Sequence, residues 1–115
     1  MENRAIKTQY GTIHGRDALI LKDVKLDMYP MSIEVNALLD LSFCQPPTES
    51  NIEALVCFKF KNIKSLKIIM IDESDYQLIK KSCFDLIVSG GNNNYILSTY
   101  DHVFDVIGQC EVVYA

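Results

Sequence analysis

Apolar residues occupy every odd position from residue 31 to residue 43, and this alternation strongly limits what the chain can form. The positions are Met31, Ile33, Val35, Ala37, Leu39, Leu41 and Phe43, and the even positions between them are polar except for Leu38. Successive side chains of a strand point to opposite faces of a sheet. The stretch therefore predicts a β-strand with one face on a core and the other in water.

The segment from residue 18 to residue 28 predicts a hairpin partner for this strand, because its apolar residues also alternate with charged ones. A turn centred on Tyr29-Pro30 would set Met28 opposite Met31, Leu26 opposite Ile33, and Val24 opposite Val35. The same register places Lys25 opposite Glu34 on the wet face. Because proline cannot adopt the positive φ of a type I′ turn, a wider or irregular loop is expected there.

Further strands are predicted from alternation and β-branched content at residues 6–13, 54–61, 66–71, 95–97 and 110–114. Residues 54–61 and 66–71 are expected to be separate strands joined at 62–65. Ile68, Ile69, Met70 and Ile71 have no polar side among them, which predicts a strand buried on both faces. Residues 44–51 and 90–94 read as loops.

Two segments have helical spacing. Tyr76, Ile79 and Cys83 mark a helix over residues 74–82, and an apolar stripe marks another over residues 100–107, with Ser98 or Thr99 as its cap. Residues 84–89 fit either a helix or a strand. The predicted fold class is therefore α+β: a mostly antiparallel sheet of about five to seven strands with one or two helices packed on it, ending in a helix and a final strand.

The composition predicts a single globular domain spanning residues 1–115, with 49% hydrophobic and 23% charged residues. A net charge of −4 disfavours nucleic acid and anionic membranes as partners. The first residues show no apolar stretch typical of a signal peptide, and no run is long enough to span a bilayer, so a cytoplasmic location in a bacterium is expected. Cys44, Cys57, Cys83 and Cys110 are widely spaced and are expected to be reduced thiols.

Two groups of residues are candidates for a functional site. His102 lies near Asp101 and Asp105, an arrangement that suits acid-base chemistry, although an exposed histidine is the favoured interpretation. Asp72, Glu73 and Asp75 form the densest acidic cluster and are the predicted partner-binding residues for a basic protein, the alternative being a role in solubility. No metal or cofactor site is predicted, because no set of residues has ligand spacing.

Two weaker motifs favour structural roles. Cys83 is preceded by Lys80 and Lys81, and nearby positive charge lowers the pKa of a thiol. The sequence shows no neighbouring base that would complete a nucleophilic site. The run from Gly90 to Asn94 is rich in residues that tolerate positive φ and resembles a phosphate-binding loop, but no Lys-Ser/Thr pair follows it. A plain turn is the favoured reading of this run.

The segment Thr99-Tyr100-Asp101-His102-Val103-Phe104-Asp105-Val106-Ile107 resembles the C-termini of small bacterial proteins, some of which are proposed as immunity proteins for secreted toxins. The resemblance covers about the last third of the chain and implies a binding role without catalysis. The expected function is a non-catalytic protein-binding module, in particular an immunity-like inhibitor. The alternatives are a ligand-binding protein or hydrolase using His102, and a homo-oligomeric structural unit.

Overall fold

The computed structural model describes residues 2–3, 6–8, 11–40, 53–71 and 83–114. Most of them lie in nine strands, and Arg16–Ala18 form a short 3-10 helix. The strands are β1 (Glu2–Asn3), β2 (Ile6–Thr8), β3 (Gly11–Ile13), β4 (Leu19–Met28), β5 (Met31–Asp40), β6 (Glu53–Met70), β7 (Phe84–Ser89), β8 (Asn92–Ser98) and β9 (His102–Tyr114).

Seven strands form one antiparallel sheet in the order β1-β7-β8-β9-β6-β5-β4, and β2 pairs with β3 separately. The sheet consists of two meanders, β4–β5–β6 and β7–β8–β9, which join where β9 pairs with β6, and of the short strand β1, which pairs with β7. The long strand β6 therefore holds the two halves together. Its partners are β5 on one side and β9 on the other.

The predicted β4–β5 hairpin is confirmed in its register. Met28 pairs with Met31, and the structure also pairs Leu26 with Ile33, Val24 with Val35, and Lys25 with Glu34. The turn at Tyr29-Pro30 is tighter than expected, with two residues and a cis peptide bond between them. The alternation of apolar and polar residues was sufficient to predict this register because the two strands are adjacent in the sequence.

The α+β prediction is wrong, since the described residues contain no α-helix. In place of the predicted helix at residues 100–107, residues 100 and 101 form a bend and residues 102–107 begin β9, which pairs with β6 on one side and β8 on the other. Val103, Val106 and Ile107 are β-branched, which lowers helix propensity and suits a pleated sheet. Residues 84–89, which fitted either element, form β7. The predicted helix at residues 74–82 lies outside the described residues.

Strand β6 runs continuously through the region where two strands were expected. Its register with β9 shifts between Lys61 and Ser65, and Asn62 there has a positive φ of 51°. The end of β6 is also not buried on both faces as predicted: the exposed fractions are 48% for Ile68, 50% for Ile69 and 75% for Met70. A buried strand needs a layer on each side, and an apolar run does not itself supply one.

The core lies on one face of the sheet, here called the inner face. It contains Phe58, Phe60, Phe84, Tyr95 and Phe104, together with the buried aliphatic residues of β5. The rings of Phe58 on β6 and Phe84 on β7 have centroids 5.4 Å apart. In a flat sheet these strands, three positions apart, would be separated by about 14 Å. The sheet is therefore curled around its inner face.

Residues 13–19 connect distant parts of this curled sheet. The backbone N–H of Cys83 donates to the carbonyl oxygen of His14 at 2.9 Å, and the N–H of Tyr100 donates to that of Leu19 at 2.8 Å. Ile13, Ala18 and Leu19 are fully buried in the same core. This segment thus packs the beginning of β4 against the strands of the other meander.

Candidate functional site

The outermost strand of the sheet, β4, has an exposed edge over residues 22–28, and this edge is the candidate site. Its inner-face residues Val24, Leu26 and Met28 are 37%, 47% and 52% exposed. Their cross-strand neighbours on β5 include Val35 and Ile33, which are both fully buried. The apolar inner face therefore continues past the core onto a partly exposed strand, beyond which no other described strand lies.

An exposed edge strand offers backbone N–H and C=O groups to a further strand. Most natural edges are protected by lysine, proline or a bulge within the edge. In β4 the irregularity falls between Leu21 and Asp23, at the start of the edge, and the proline lies in the turn beyond Met28. The stretch from Asp23 to Met28 contains Lys25 but no bulge or proline, so its backbone is regular and long enough to pair.

The opposite face, here called the outer face, has charges of both signs along the same stretch. Asp23, Lys25 and Asp27 alternate with the apolar residues, and all three are exposed. Asn36 Nδ2 donates a hydrogen bond to Asp23 Oδ1 at 2.6 Å. Lys25 lies opposite Glu34, which in turn lies opposite Lys59 on β6. Acids and lysines thus alternate across this face, so it is mixed in charge.

The structure brings together part of the predicted histidine site. His102 Nδ1 lies 2.8 Å from Asp101 Oδ1, whereas Asp105 Oδ1 accepts a hydrogen bond from Asn94 Nδ2 at 2.6 Å. Thr99 Oγ1 accepts a hydrogen bond from the backbone N–H of His102 at 3.1 Å, which fixes the turn between β8 and β9. The histidine therefore has one carboxylate partner from the predicted set, supplied by its immediate neighbour in sequence.

A cleft of about 280 Å³ lies beside this turn, lined by Asp17, Ile20, Leu21, Tyr100 and Asp101. His102 is not among its lining residues, so the imidazole does not line this cleft. Burial lowers the pKa of the neighbouring Arg16 guanidinium, while Asp17 and Asp101 act in the opposite direction. The two carboxylates thus serve partly to stabilise a buried cation.

The predicted partner-binding residues Asp72, Glu73 and Asp75 lie outside the described residues, as do Lys80 and Lys81. Their proposed role is a prediction that the structure does not address. The second histidine of the chain, His14, is exposed, and its carbonyl oxygen accepts a hydrogen bond from the backbone N–H of Cys83. His14 therefore contributes a structural backbone contact just before the 3-10 helix.

The run from Gly90 to Asn94 forms the tight turn and first residues of the β7–β8 hairpin. Gly90 and Gly91 have φ values of 57° and 78°, a conformation that L side chains rarely adopt. Beside them is a shallow cleft, where Lys64 Nζ donates to Asn92 Oδ1 at 2.9 Å and Asn62 Nδ2 donates to Gln109 Oε1 at 2.7 Å. The turn interpretation is confirmed for Gly90 and Gly91, whereas Asn92, Asn93 and Asn94, which were predicted to lie in the same loop, begin β8.

The three described cysteines, Cys57, Cys83 and Cys110, are thiols that form no disulfide. Cys83 is fully buried, and its Sγ lies 3.7 Å from the carbonyl oxygen of Ile13. Burial, with a smaller effect from Glu34, raises the pKa of the Cys57 thiol. Among the residues that the structure describes, no group of three potential metal-ligating side chains is found. Cysteine chemistry therefore does not define a site in this part of the chain.

Comparison of the chain with protein-family models, with curated proteins and with solved structures gave no match. Within the described ranges, no helix is long and apolar enough to cross a membrane. The site is thus defined by geometry alone. The described strands form an antiparallel β fold in which the outer edge of β4 pairs with no other described strand, and binding surfaces can form at such an edge by strand addition.

The sequence predicted which residues form this strand, but it did not predict that the strand lies at an exposed edge. The alternation of Val24, Leu26 and Met28 with charged residues correctly placed them on the inner face of a hairpin. Whether another strand covers β4 depends on the order of strands in the whole sheet. The available signal was the alternation itself, which shows that one face of this strand is apolar but not whether a further strand pairs with its edge.

Proposed function

We propose that this protein is a non-catalytic protein-binding module whose binding surface is the exposed edge of β4. The observation that carries the proposal is the contrast within one cross-strand pair: Leu26 is 47% exposed, whereas Ile33, opposite it, is fully buried. An added strand would cover Leu26 and its neighbours Val24 and Met28 while pairing the backbone of β4. Main-chain hydrogen bonds then supply affinity, and the alternate side chains supply specificity.

The mixed charge of the outer face limits which partner strands can pair with β4. A uniformly basic segment would meet Lys25 between Asp23 and Asp27. Like charges directly opposite each other destabilise a strand pair, whereas opposite charges stabilise it by about 0.2–1 kcal/mol each. The edge therefore favours a partner strand with alternating charges on one face and apolar residues on the other.

The immunity-like role and the cytoplasmic location are further parts of the proposal. Cys57, Cys83 and Cys110 are thiols outside any disulfide, which is typical of a reducing compartment. An inhibitor that covers a strand of its target would use an edge such as β4. The C-terminal resemblance points to the same role, although its helix is replaced by β9.

The hydrolase alternative has less support from the geometry. Its histidine does not line the neighbouring cleft, and its nearest carboxylate, Asp101, also faces buried Arg16. We expect His102→Ala to leave any measured activity of the protein within the range of ordinary surface variants. A loss of activity with the fold intact would support the hydrolase instead.

The binding proposal is tested by capture with matched variants. The full chain is immobilised and exposed to lysate of the source organism, beside Leu26→Lys and the control Val88→Lys. Val88 is 64% exposed and lies on β7, in the other meander. We expect a protein that is retained by the wild-type chain and by the control but lost with Leu26→Lys, and whose binding slows hydrogen exchange of the β4 amides. Equal retention by all three chains would contradict the proposal.

A further inference from the structure

We infer that the strand taken up by the β4 edge is β4 of a second copy of this chain, paired antiparallel with Leu26 opposite its own equivalent. This inference rests on the proposed use of the β4 edge and names its partner. In an isologous two-fold contact, each surface residue must fit the symmetry-related surface of the same patch. The residues of the β4 edge must therefore be complementary to the same residues of a second copy running in the opposite direction.

Centring the pair on Leu26 makes both faces complementary. On the inner face, Val24 lies opposite the other copy's Met28, and Leu26 lies opposite Leu26. On the outer face, Lys25 lies opposite Asp27, and the symmetry repeats this pair. Each opposite-charge pair and each apolar pair stabilises an antiparallel contact. The exposed apolar residues of the two copies would then form one continuous inner face.

Neighbouring registers are less favourable. Centring on Lys25 sets Lys25 against itself and Asp23 against Asp27, so every charged pair is repulsive. Centring on Val24 keeps one charge match but sets Asp27 opposite Leu21 and extends the pairing across the irregularity between Leu21 and Asp23. A shift by one residue would place apolar side chains on the charged face. The Leu26-centred register avoids all of these conflicts.

This register also uses the turn of the hairpin. It places Tyr29, which is 96% exposed, opposite Asp23 of the other copy. The pairing ends there, because the next residue, Lys22, would lie opposite Pro30 of the other copy, and proline has no backbone N–H to donate. The paired stretch is therefore residues 23–29, which lies outside the contacts that attach Leu19 to Tyr100.

Charge reversal tests the register. Lys25→Asp and Asp27→Lys each replace two attractive contacts with two repulsive ones, so each variant alone should dimerise about tenfold or more weakly than the wild-type chain. An equimolar mixture should recover a heterodimer, because each attractive contact reforms between the two variants. Sedimentation equilibrium measures the dissociation constants, and native mass spectrometry identifies the heterodimer.

Lys59→Asp is the matched control. Lys25 and Lys59 both lie opposite Glu34, so the two reversals create a similar repulsion within one copy, but Lys59 is on β6, away from the edge. The control should dimerise like the wild-type chain. If it weakens the dimer as much as Lys25→Asp does, the register is contradicted.

A second variant keeps the inference testable if a charge reversal prevents folding. Leu26→Cys should form a disulfide between copies in oxidised glutathione, because directly opposed strand residues have Cα atoms about 4.5–5.5 Å apart, within disulfide range. Ile20→Cys, which lies beyond the paired stretch, should not form one. Peptide mapping distinguishes these bonds from any that involve native cysteines.

The outcomes separate this inference from the proposed function. A wild-type chain that stays monomeric up to millimolar concentration would overturn the second copy as the partner, and retention of another protein that depends on Leu26 would still support the binding module. A dimer that ignores both charge reversals would overturn the register and place the contact elsewhere. Loss of both the dimer and the Leu26-dependent retention would overturn both proposals.

Discussion

The Nε atom of Arg16 donates a hydrogen bond to the carbonyl oxygen of Thr99 at 2.9 Å, joining residues 83 positions apart in the sequence. Arg16 is only 2% exposed and lies in the 3-10 helix before β4, while Thr99 follows β8 and is fully buried. The bond therefore links the start of the β4–β5–β6 meander to the turn between β8 and β9, in addition to the pairing of β6 with β9.

Replacing Arg16 with methionine should destabilise the fold by about 2–3 kcal/mol, because a charged donor is lost and a buried carbonyl oxygen loses its partner. The control Lys22→Met, on the exposed edge, should change the free energy of unfolding by no more than about 0.5 kcal/mol. Urea titration followed by circular dichroism measures both. Equal effects would show that the Arg16–Thr99 bond does not stabilise this side of the sheet.

The apolar positions of the β4–β5 hairpin should differ sharply in their contributions to stability. Leu39→Ala removes a fully buried side chain and should cost about 2–5 kcal/mol, including the cavity left behind. Leu26→Ala makes the same chemical change at a position that is 47% exposed and should cost clearly less in the monomer. The comparison is made below the dimer dissociation constant. Similar losses at the two positions would mean that Leu26 is covered within a single chain.

Gly108 should not tolerate a side chain. A Cβ atom built there would lie 2.9 Å from the carbonyl oxygen of Lys61 and 3.2 Å from that of Asn62, both of which are backbone atoms. Gly108→Ala should therefore destabilise the protein by about 1–3 kcal/mol, as overpacking typically does. Gln109→Ala, at the next and exposed position, is the control. A stabilised Gly108→Ala variant would mean that β6 moves freely away from β9 at its irregularity.

The Cys57 thiol should react slowly with iodoacetamide near neutral pH. Burial raises its pKa, so at a given pH the folded protein holds less thiolate than the unfolded chain. The rate should rise as the pH approaches the raised pKa. Correspondingly, the stability contributed by the neutral thiol is present below the unfolded pKa and is lost as pH rises through the folded value. Peptide mapping after timed alkylation measures the rate, with urea-unfolded protein as the reference. Faster reaction in the folded state would contradict this prediction.

The sequence by itself determined the β4–β5 hairpin, including the pairing of Lys25 with Glu34. A two-residue period fixes which side chains share a face, and a short connection leaves few possible registers. The turn at Gly90 and Gly91 was equally readable, since their positive φ values suit the residue type. These features depend on interactions between residues that are close in the chain.

Only the tertiary structure decided that residues 102–107 form a strand and that β4 lies at an exposed edge. The stripe of Val103, Phe104 and Ile107 fits helical spacing, but β6 and β8 supply strand partners on both sides of β9. Long-range backbone pairing overrides local propensity because it satisfies the hydrogen bonds of the whole segment. The exposure of Leu26 likewise follows from strand order, which depends on contacts among residues far apart in the sequence.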